Sequence, residues 1–556
     1  MSSGLCATNE DQIDCDEAEK VGSNIQEKMD GLTFSDASIS RKDLAKTLDS
    51  LQVGTVIEKK VVHIDPLILF SRASTLVERL DAQSQNECFS HEFTPEPTAL
   101  FKDGLMRTPK KEDLRNRLID YDLRVNEPNT DVCVVDGGAA LHKSPWVMNA
   151  SFADLAEKFI IDIKSKFSKF GEIHIVFDGY DDNCSTKSDK HEERGRAGKV
   201  ASTIHISTDG ITPVPSKRDE FMRNARNKKE LIRFLRSQLA VEGIKSSEAV
   251  GDADTLIVST ALAAAKDGKR TLVVSDDTDI LILLHYHHSP SNAEIFFQTS
   301  RKSPVVPKEG ASKAQIRKAT SKSKQSPVPM WWNISNLQSG DIPRHLLLFV
   351  HAWCGCDTTS AIYGKGKLRI ISMLNDRLVK QAAEVFSQKK ATQDEINKAG
   401  TDIMTKMYNG RREDNPVSLR QGSWNQMING KMKLTPETLC PTERDIHFHS
   451  QRVYLQVRRW EALDEQFLEP SDWGFYKQGD TLKPIKTDLP PAPDYLLNVI
   501  RCNCKLTSRN TCGTMLCSCK SDGLPCVKAC GDCRGMNCNN VSLAYITGDD
   551  VDVCDP

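Results

Sequence analysis

Seven aspartates in the middle of the chain stand where carboxylates do chemistry: Asp136, Asp178, Asp252, Asp254, Asp277, Asp279 and Asp357. Asp136 closes the apolar run DVCVVD, Asp178 closes EIHIVFD, and Asp277 and Asp279 follow RTLVV in VVSDDTDIL. Short apolar runs bounded by turn residues predict buried strands. In a parallel α/β sheet, ligand sites lie beyond the carboxyl ends of the strands. Three strands thus deliver carboxylates to one edge, with Asp252 and Asp254 at a helix start and Asp357 in GCDTTSAIYGKGK. Seven acids without an equal number of nearby cations repel one another unless divalent ions neutralise them. Oxygen-only ligands suit Mg²⁺, with Mn²⁺ as a substitute. Two such ions, about 4 Å apart, would activate a water and stabilise the leaving oxygen of phosphodiester cleavage. Taken singly, each aspartate also has an ordinary role: Asp252 as a helix cap, Asp254 as an answer to the helix dipole, Asp136 and Asp178 as turn residues.

The second chemical feature is a run of nine cysteines within 37 residues: Cys502, Cys504, Cys512, Cys517, Cys519, Cys526, Cys530, Cys533 and Cys538. The rest of the 556-residue chain holds only nine more. So dense a run in so polar a segment implies thiolate metal ligation. The acidic, polar N-terminus is no secretory signal, so an intracellular protein with reduced thiols is expected, and zinc is favoured over disulfides. Nine sulfurs are too few for three independent tetrahedral sites, but with three bridging sulfurs they suffice for three Zn²⁺.

The elements that must position these groups follow from periodicity. FADLAEKFIIDIKSKFSKF, RNKKELIRFLRSQLA and DADTLIVSTALAAAKDG read as helices between the buried strands, and RTLVVSDDTDILIL reads as a strand. This alternation predicts an α/β fold with a mostly parallel sheet. The expected organisation is a disordered tail (1–40), a mixed helical region of unassigned role (41–130) and an α/β core (131–288) with a polar, charged insertion at 181–232. A basic linker (289–328), a helical region (329–433), a helical bridge with a Pro-rich joint (434–500), a cysteine domain (501–540) and an acidic tail (541–556) follow. Between Arg301 and Lys324 eight Lys/Arg stand against one Glu. The net charge of −2 excludes a uniformly basic coat, so any nucleic-acid surface must be local. No stretch approaches the length of a membrane span, and no membrane partner is expected.

Over about residues 131–375 the sequence resembles the flap endonuclease/XPG family of structure-specific nucleases, a branch of the PIN-like fold. VFDGY resembles that family's strand ending in FDG, and GDADTLIVSTAL its EAEA helix, with Asp252 and Asp254 in place of the two glutamates. VVSDDTDIL resembles its T-E-D-x-D segment, and GCDTTSAIYGKGK is similar to its G-C-D-Y-x-x-x-I-x-G-I-G element. The resemblance implies a PIN-like parallel sheet flanked by helices, a helix–two-turn–helix that grips duplex backbone, and all seven aspartates as Mg²⁺ ligands of a competent site. It also implies an arch at 181–232. There Lys187, Lys190 and Arg194, with Arg196, Lys199, Arg223, Arg226, Lys228 and Lys229, would hold the scissile phosphate. About 130 residues precede the first strand, where the family begins almost at once. The cysteine run resembles one tesmin-type CXC repeat, with CNCK at 502–505, CSC at 517–519 and CNN at 538–540. That resemblance implies zinc and, in several relatives, DNA binding.

In GKGK, Gly364 and Gly366 allow backbone amides to approach a phosphate at a helix start, and Lys365 and Lys367 add charge. His285, His287 and His288 lack ligand spacing. Trp331, Trp332 and Trp353 read as core or interface, Cys354 and Cys356 as buried thiols, and Arg452, Arg458 and Arg459 as solvated helix charges. The function expected is a divalent-metal-dependent endonuclease acting on DNA at branched or single-strand/duplex junctions. RNA is an alternative substrate, and a zinc-bearing tail docks on DNA or chromatin proteins in the nucleus. The alternatives are a non-catalytic nucleic-acid-binding protein that keeps the fold, and a mobile-element-derived scaffold whose tail binds protein.

Overall fold

The computed structural model describes residues 53–57, 60–64, 66–119, 123–179, 201–250, 252–299, 329–340, 342–428, 435–463, 468–479, 481–505, 510–527, 529–535 and 538–540, with residues 22, 23, 26, 27 and 186. Most of the expected N-terminal tail, the acidic tail, most of the basic linker, and Lys187, Lys190, Arg194, Arg196 and Lys199 lie outside them.

Seven strands form the central sheet: β1 (Arg124–Val125), β2 (Val132–Asp136), β3 (Glu172–Phe177), β4 (Lys245–Glu248), β5 (Thr271–Val274), β6 (Ile295–Thr299) and β7 (Met330–Asn333). Their order is β1-β7-β6-β5-β2-β3-β4. The five strands from β6 to β4 run parallel, and β7 and β1 close the edge antiparallel. The fold is therefore the expected mixed α/β sheet, mostly parallel and flanked by helices. Alternate residues of β2 serve opposite faces: Val132 and Val134 pack into one core, Cys133 and Val135 into the other.

The helices of the core and its surroundings are α1 (Pro66–Val77), α2 (Glu112–Leu118), α3 (Gly137–Lys143), α4 (Phe152–Phe167), α5 (Ala225–Val241), α6 (Ala253–Lys266), α7 (Thr278–His287), α8 (Leu347–Trp353), α9 (Lys367–Met373), α10 (Gln393–Met407), α11 (Pro416–Ile428) and α12 (Glu443–Ala462). Helices α4 and α5 cover one face through Phe152, Phe159, Ile163, Leu231 and Leu235. Helices α6, α7 and α8 cover the other, and α12 packs against α8 and α10.

Three expectations change. The run TDILIL, the end of the expected strand RTLVVSDDTDILIL, belongs to helix α7, because Asp277 caps it and every residue from Thr278 to His285 is buried. A helix wrapped by core on all sides has no polar face to betray its period. The proposed linker begins too early, since its IFFQT segment is β6, buried along its length and paired with β5. Arg452 and Arg458 are not solvated. Arg452 is 1% exposed and donates to the Gly474 and Ile485 carbonyls; Arg458 is 3% exposed and pairs with Glu461. No described helix is long and apolar enough to cross a membrane.

Candidate active site

The chain runs outward from β2 through β3 to β4, then returns to the other side of β2 as β5. The edge between β2 and β5 is thus the topological switch point, where the loops diverge and leave a crevice. Asp136 ends β2, level with Val176 of β3, and Asp178 follows the end of β3. Two glycines permit the close approach that brings them together. A Cβ on Gly137 would lie 2.4 Å from the Phe177 ring, and one on Gly179 would lie 2.0 Å from the Ala249 carbonyl oxygen. Beside Gly138, the nearest oxygens of Asp136 and Asp178 each stand 3.4 Å from where a Cβ would be.

The other acids are tied into the same edge. Asp136 caps α3 through the Ala139 amide (2.9 Å), and its second oxygen accepts from the Ser275 hydroxyl (2.8 Å). Ser275 in turn accepts from the Asp277 amide at 3.0 Å, so one hydroxyl links the β2 and β5 loops. Asp178 accepts from the Ala253 amide (3.3 Å) at the start of α6, the helix capped by Asp252 and carrying Asp254 in its first turn. Asp277 caps α7 by accepting from the Asp279 amide at 3.0 Å. The capping roles are therefore real, and because these helix starts share one sheet edge each cap places its carboxylate along that edge. Asp276 is engaged elsewhere, with Lys143 (2.7 Å) and Thr299 (2.6 Å).

Lys111, at the N-terminal boundary of α2, was not foreseen. Its Nζ lies 2.9 Å from Asp279, 3.0 Å from Asp357 and 3.6 Å from Asp277. One ammonium thus stands among these three carboxylates, which still outnumber it. No sequence signal marks Lys111, which is 168 residues from Asp279. Ser275 and His351 were also passed over. His351 is buried, stacks on Trp460, and meets the second Asp279 oxygen at 2.9 Å.

The electrostatics divide the cluster. Burial and the neighbouring Asp178 push the Asp136 carboxyl above its usual range. Burial and the adjacent Asp279 push Asp277 up to about 6. Asp279 goes the other way: against its burial, Lys111 and His351 hold it well below the usual carboxylate range. The three carboxylates outweigh the desolvation of Lys111 and raise it well above an ordinary lysine. Burial, then the charge of Lys367, lowers His351 to about 4, so its ring is neutral near pH 7 and Nε2–H donates to Asp279.

An oxygen-only donor set in which burial and repulsion raise the Asp136 carboxyl fits a hard divalent cation beside Asp136 and Asp178. Among the described residues, groups of three or more ligand atoms within 4.8 Å of one another are formed by cysteines alone.

In the loop joining α8 to α9, Gly364 (φ +65°) and Gly366 are exposed, and Lys365 is partly exposed with its ammonium 4.7 Å from the centre of the Tyr408 ring. Lys367, expected to face a phosphate, is instead 2% exposed. It donates to the His351 (2.6 Å) and Gly355 (2.9 Å) carbonyls, holding the loop that carries Asp357. In the described part of the insertion, Arg226 is exposed, Arg223 and Lys229 are partly so, and Lys228 is buried. Cys354, Cys356, Trp332 and Trp353 are buried as expected, and His285, His287 and His288 bond to Ser339, the Trp460 carbonyl and Ser335.

All nine tail cysteines are free of disulfides. Three sets of four can each hold a metal ion: Cys502, Cys526, Cys530, Cys533; Cys502, Cys512, Cys517, Cys526; and Cys512, Cys526, Cys533, Cys538. Sulfur separations include 3.7 Å for Cys502–Cys526, 3.8 Å for Cys502–Cys512 and 3.9 Å for Cys517–Cys526. Four sulfurs at about 2.3 Å from one zinc would be about 3.8 Å apart. The sets share Cys502, Cys512, Cys526 and Cys533. Cys519 lies 3.6 Å from Cys530, and Cys504 is partly exposed.

Residues 1–92 match a family model described as a domain of unknown function (DUF8702). No curated protein matches the chain. Similar solved structures include the catalytic core of Rad2 in complex with DNA substrate. Its complex II has 13% identity, covering 67% of this chain and 92% of that one, with a TM-score of 0.28. Its complex III has 13% identity, covering 71% and 94%, with a TM-score of 0.29. A eukaryotic junction-resolving enzyme, GEN-1, binding with cesium, has 11% identity, covering 66% and 67%, with a TM-score of 0.22.

Proposed function

We propose that the protein is a divalent-metal-dependent nuclease that hydrolyses phosphodiester bonds of DNA at branched or single-strand/duplex junctions, with a zinc-bearing tail that helps dock it in the nucleus. The observation that carries this is the pairing of Asp136 and Asp178 at the switch point, two carboxylates held side by side with Asp136 raised by burial and repulsion. A bound Mg²⁺ would supply Lewis-acid activation of water and phosphate. Asp136 and Asp178 would hold it, with Asp252 and Asp254 near the start of α6. Ser275 fixes one Asp136 oxygen and the Ala139 amide the other, which shares the space beside Gly138 with an Asp178 oxygen. His351 and Lys111 fix Asp279, and Lys367 fixes the backbone before Asp357. Gly364, Lys365 and Gly366 would meet duplex phosphates.

One observation favours the non-catalytic alternative. Lys111 already neutralises part of the acid cluster, which lessens its need for a metal. The deciding experiment is cleavage of flap, bubble, hairpin and single-stranded substrates with Mg²⁺ by the wild type and by Asp136→Asn and Asp277→Asn. Cleavage lost in the variants supports the nuclease. Binding without cleavage supports the alternative, and equal cleavage in all three proteins assigns the activity to a contaminant.

A further inference from the structure

We propose that Lys111 is a built-in cation of this site. Its ammonium takes the place of a second divalent ion among Asp277, Asp279 and Asp357, so that the protein binds a single divalent ion, on the Asp136/Asp178 side. The inference rests on the nuclease reading and specifies its metal content.

Three observations carry it. The first is position. Asp277 caps α7, Asp279 lies in its first turn and Asp357 comes from the α8–α9 loop, and Nζ of Lys111 lies within 3.6 Å of all three. The second is spacing. The two nearer oxygens sit at 2.9 and 3.0 Å from Nζ, the length of a charged N–H···O bond. Mg²⁺ demands oxygens at about 2.0–2.1 Å, so a metal here would have to expel the lysine and draw each carboxylate inward by about 0.9 Å or more. The third is rigidity. The other oxygen of Asp279 is held by His351, and both residues are at most 2% exposed, so that carboxylate is pinned in the geometry that suits the ammonium. On the opposite side, the carboxylate oxygens of Asp136 and Asp178 converge on the space above Gly138.

Lys111 comes from outside the central sheet, from the boundary of α2. Helix α2 packs on both α7 and α9, so the N-terminal region delivers the charge and fixes where it points. That assigns a role to a region whose sequence suggested none. A lysine also differs from a metal in that chelators cannot remove it.

The test is a count of bound Mn²⁺ on the zinc-loaded full chain, by titration calorimetry and by the electron paramagnetic resonance signal of free Mn²⁺, with Mg²⁺ competition to exclude surface ions. One competed ion is expected in the wild type, two in Lys111→Met, one in Lys111→Arg and none in Asp136→Asn. Two ions in the wild type, or no gain in Lys111→Met, overturns the inference. Should Lys111→Met fail to fold, the wild-type count alone decides between one ion and two. The nuclease reading fails separately: an ion gained in Lys111→Met with no cleavage by any form leaves the inference standing and removes the enzyme. No competed ion in any form overturns both.

Discussion

Nη2 of Arg72 lies 3.0 Å from Sγ of Cys519, while its Nε and Nη1 donate to the Ile500 and Pro525 carbonyls at 2.7 Å each. One buried guanidinium on α1 therefore gathers the chain entering the cysteine domain, a cysteine inside it and the loop before Cys526. Ile68 packs on the same cluster, and Trp424 of α11 donates to the Ser74 carbonyl from the other side of α1. Arg72→Ala leaves these acceptors without their donor. Hydrogen bonds to a charged group contribute about 1.5–3 kcal/mol each, and they are not additive. The expected result is a local loss of several kcal/mol. Faster zinc transfer to a chelator and faster hydrogen exchange across 502–530 would show it, with the melting of the central sheet little changed. Unaltered zinc release would mean that the tail does not depend on this anchor.

Cys526 belongs to all three possible metal sets, whereas Cys538 belongs to one. Cys526→Ser is expected to lose most of the zinc, and Cys538→Ser no more than one ion. Native mass spectrometry of the two variants against a wild type expected to carry three Zn²⁺ reads this directly. Equal losses would show that the sulfurs are not shared as the sets suggest.

Lys365 and Lys367 are two residues apart and should behave as unrelated residues. Lys367→Met removes a buried ammonium from two carbonyls and leaves both unpaired. A destabilisation of about 2–4 kcal/mol is expected in denaturant melts. Lys365→Ala is expected to leave stability nearly unchanged, weaken DNA binding several-fold and reduce the salt slope by about one unit. A DNA-binding defect in a folded Lys367→Met protein, with none in Lys365→Ala, would reverse the assignment.

Two buried histidines make stability fall with acid. Burial lowers His449 to about 3, and burial together with the charge of Arg344 lowers His285 to about 4. An unfolded histidine titrates near 6.5, so as pH falls from about 6.5 towards 4 the unfolded chain takes up protons that the folded chain refuses. Their contribution is complete above about pH 6.5 and is lost on acidification, at up to about 1.4 kcal/mol per pH unit per group. His449→Gln keeps a donor for the Trp353 carbonyl and removes the titration, so its slope should be shallower by about that amount. Zinc loss in acid affects both proteins alike and cancels in the comparison. Identical slopes would show that His449 titrates normally.

What was legible in the sequence was local. Apolar runs ending in Asp136 and Asp178 marked strand ends, and strand ends in a parallel sheet share an edge. The density of cysteines implied metal ligation, because so many thiols in so polar a segment do not read as core packing, and the sulfurs do lie in groups able to hold a metal. The same periodicity failed at α7, where uniform burial hides the helical repeat, and at β6, where a strand follows too closely on a helix to stand out from the linker beyond it.

Residue types and their neighbours thus determined which acids stand at strand ends and helix caps and which thiols lie close together, since strand, cap and cysteine spacing are properties of short segments. Tertiary structure alone decided the charge balance. Whether a lysine is a solvated surface charge, a strut such as Lys367 or the counter-ion of three aspartates such as Lys111 depends on which distant segments pack around it. Desolvation and Coulomb energy are set by that packing and not by position along the chain.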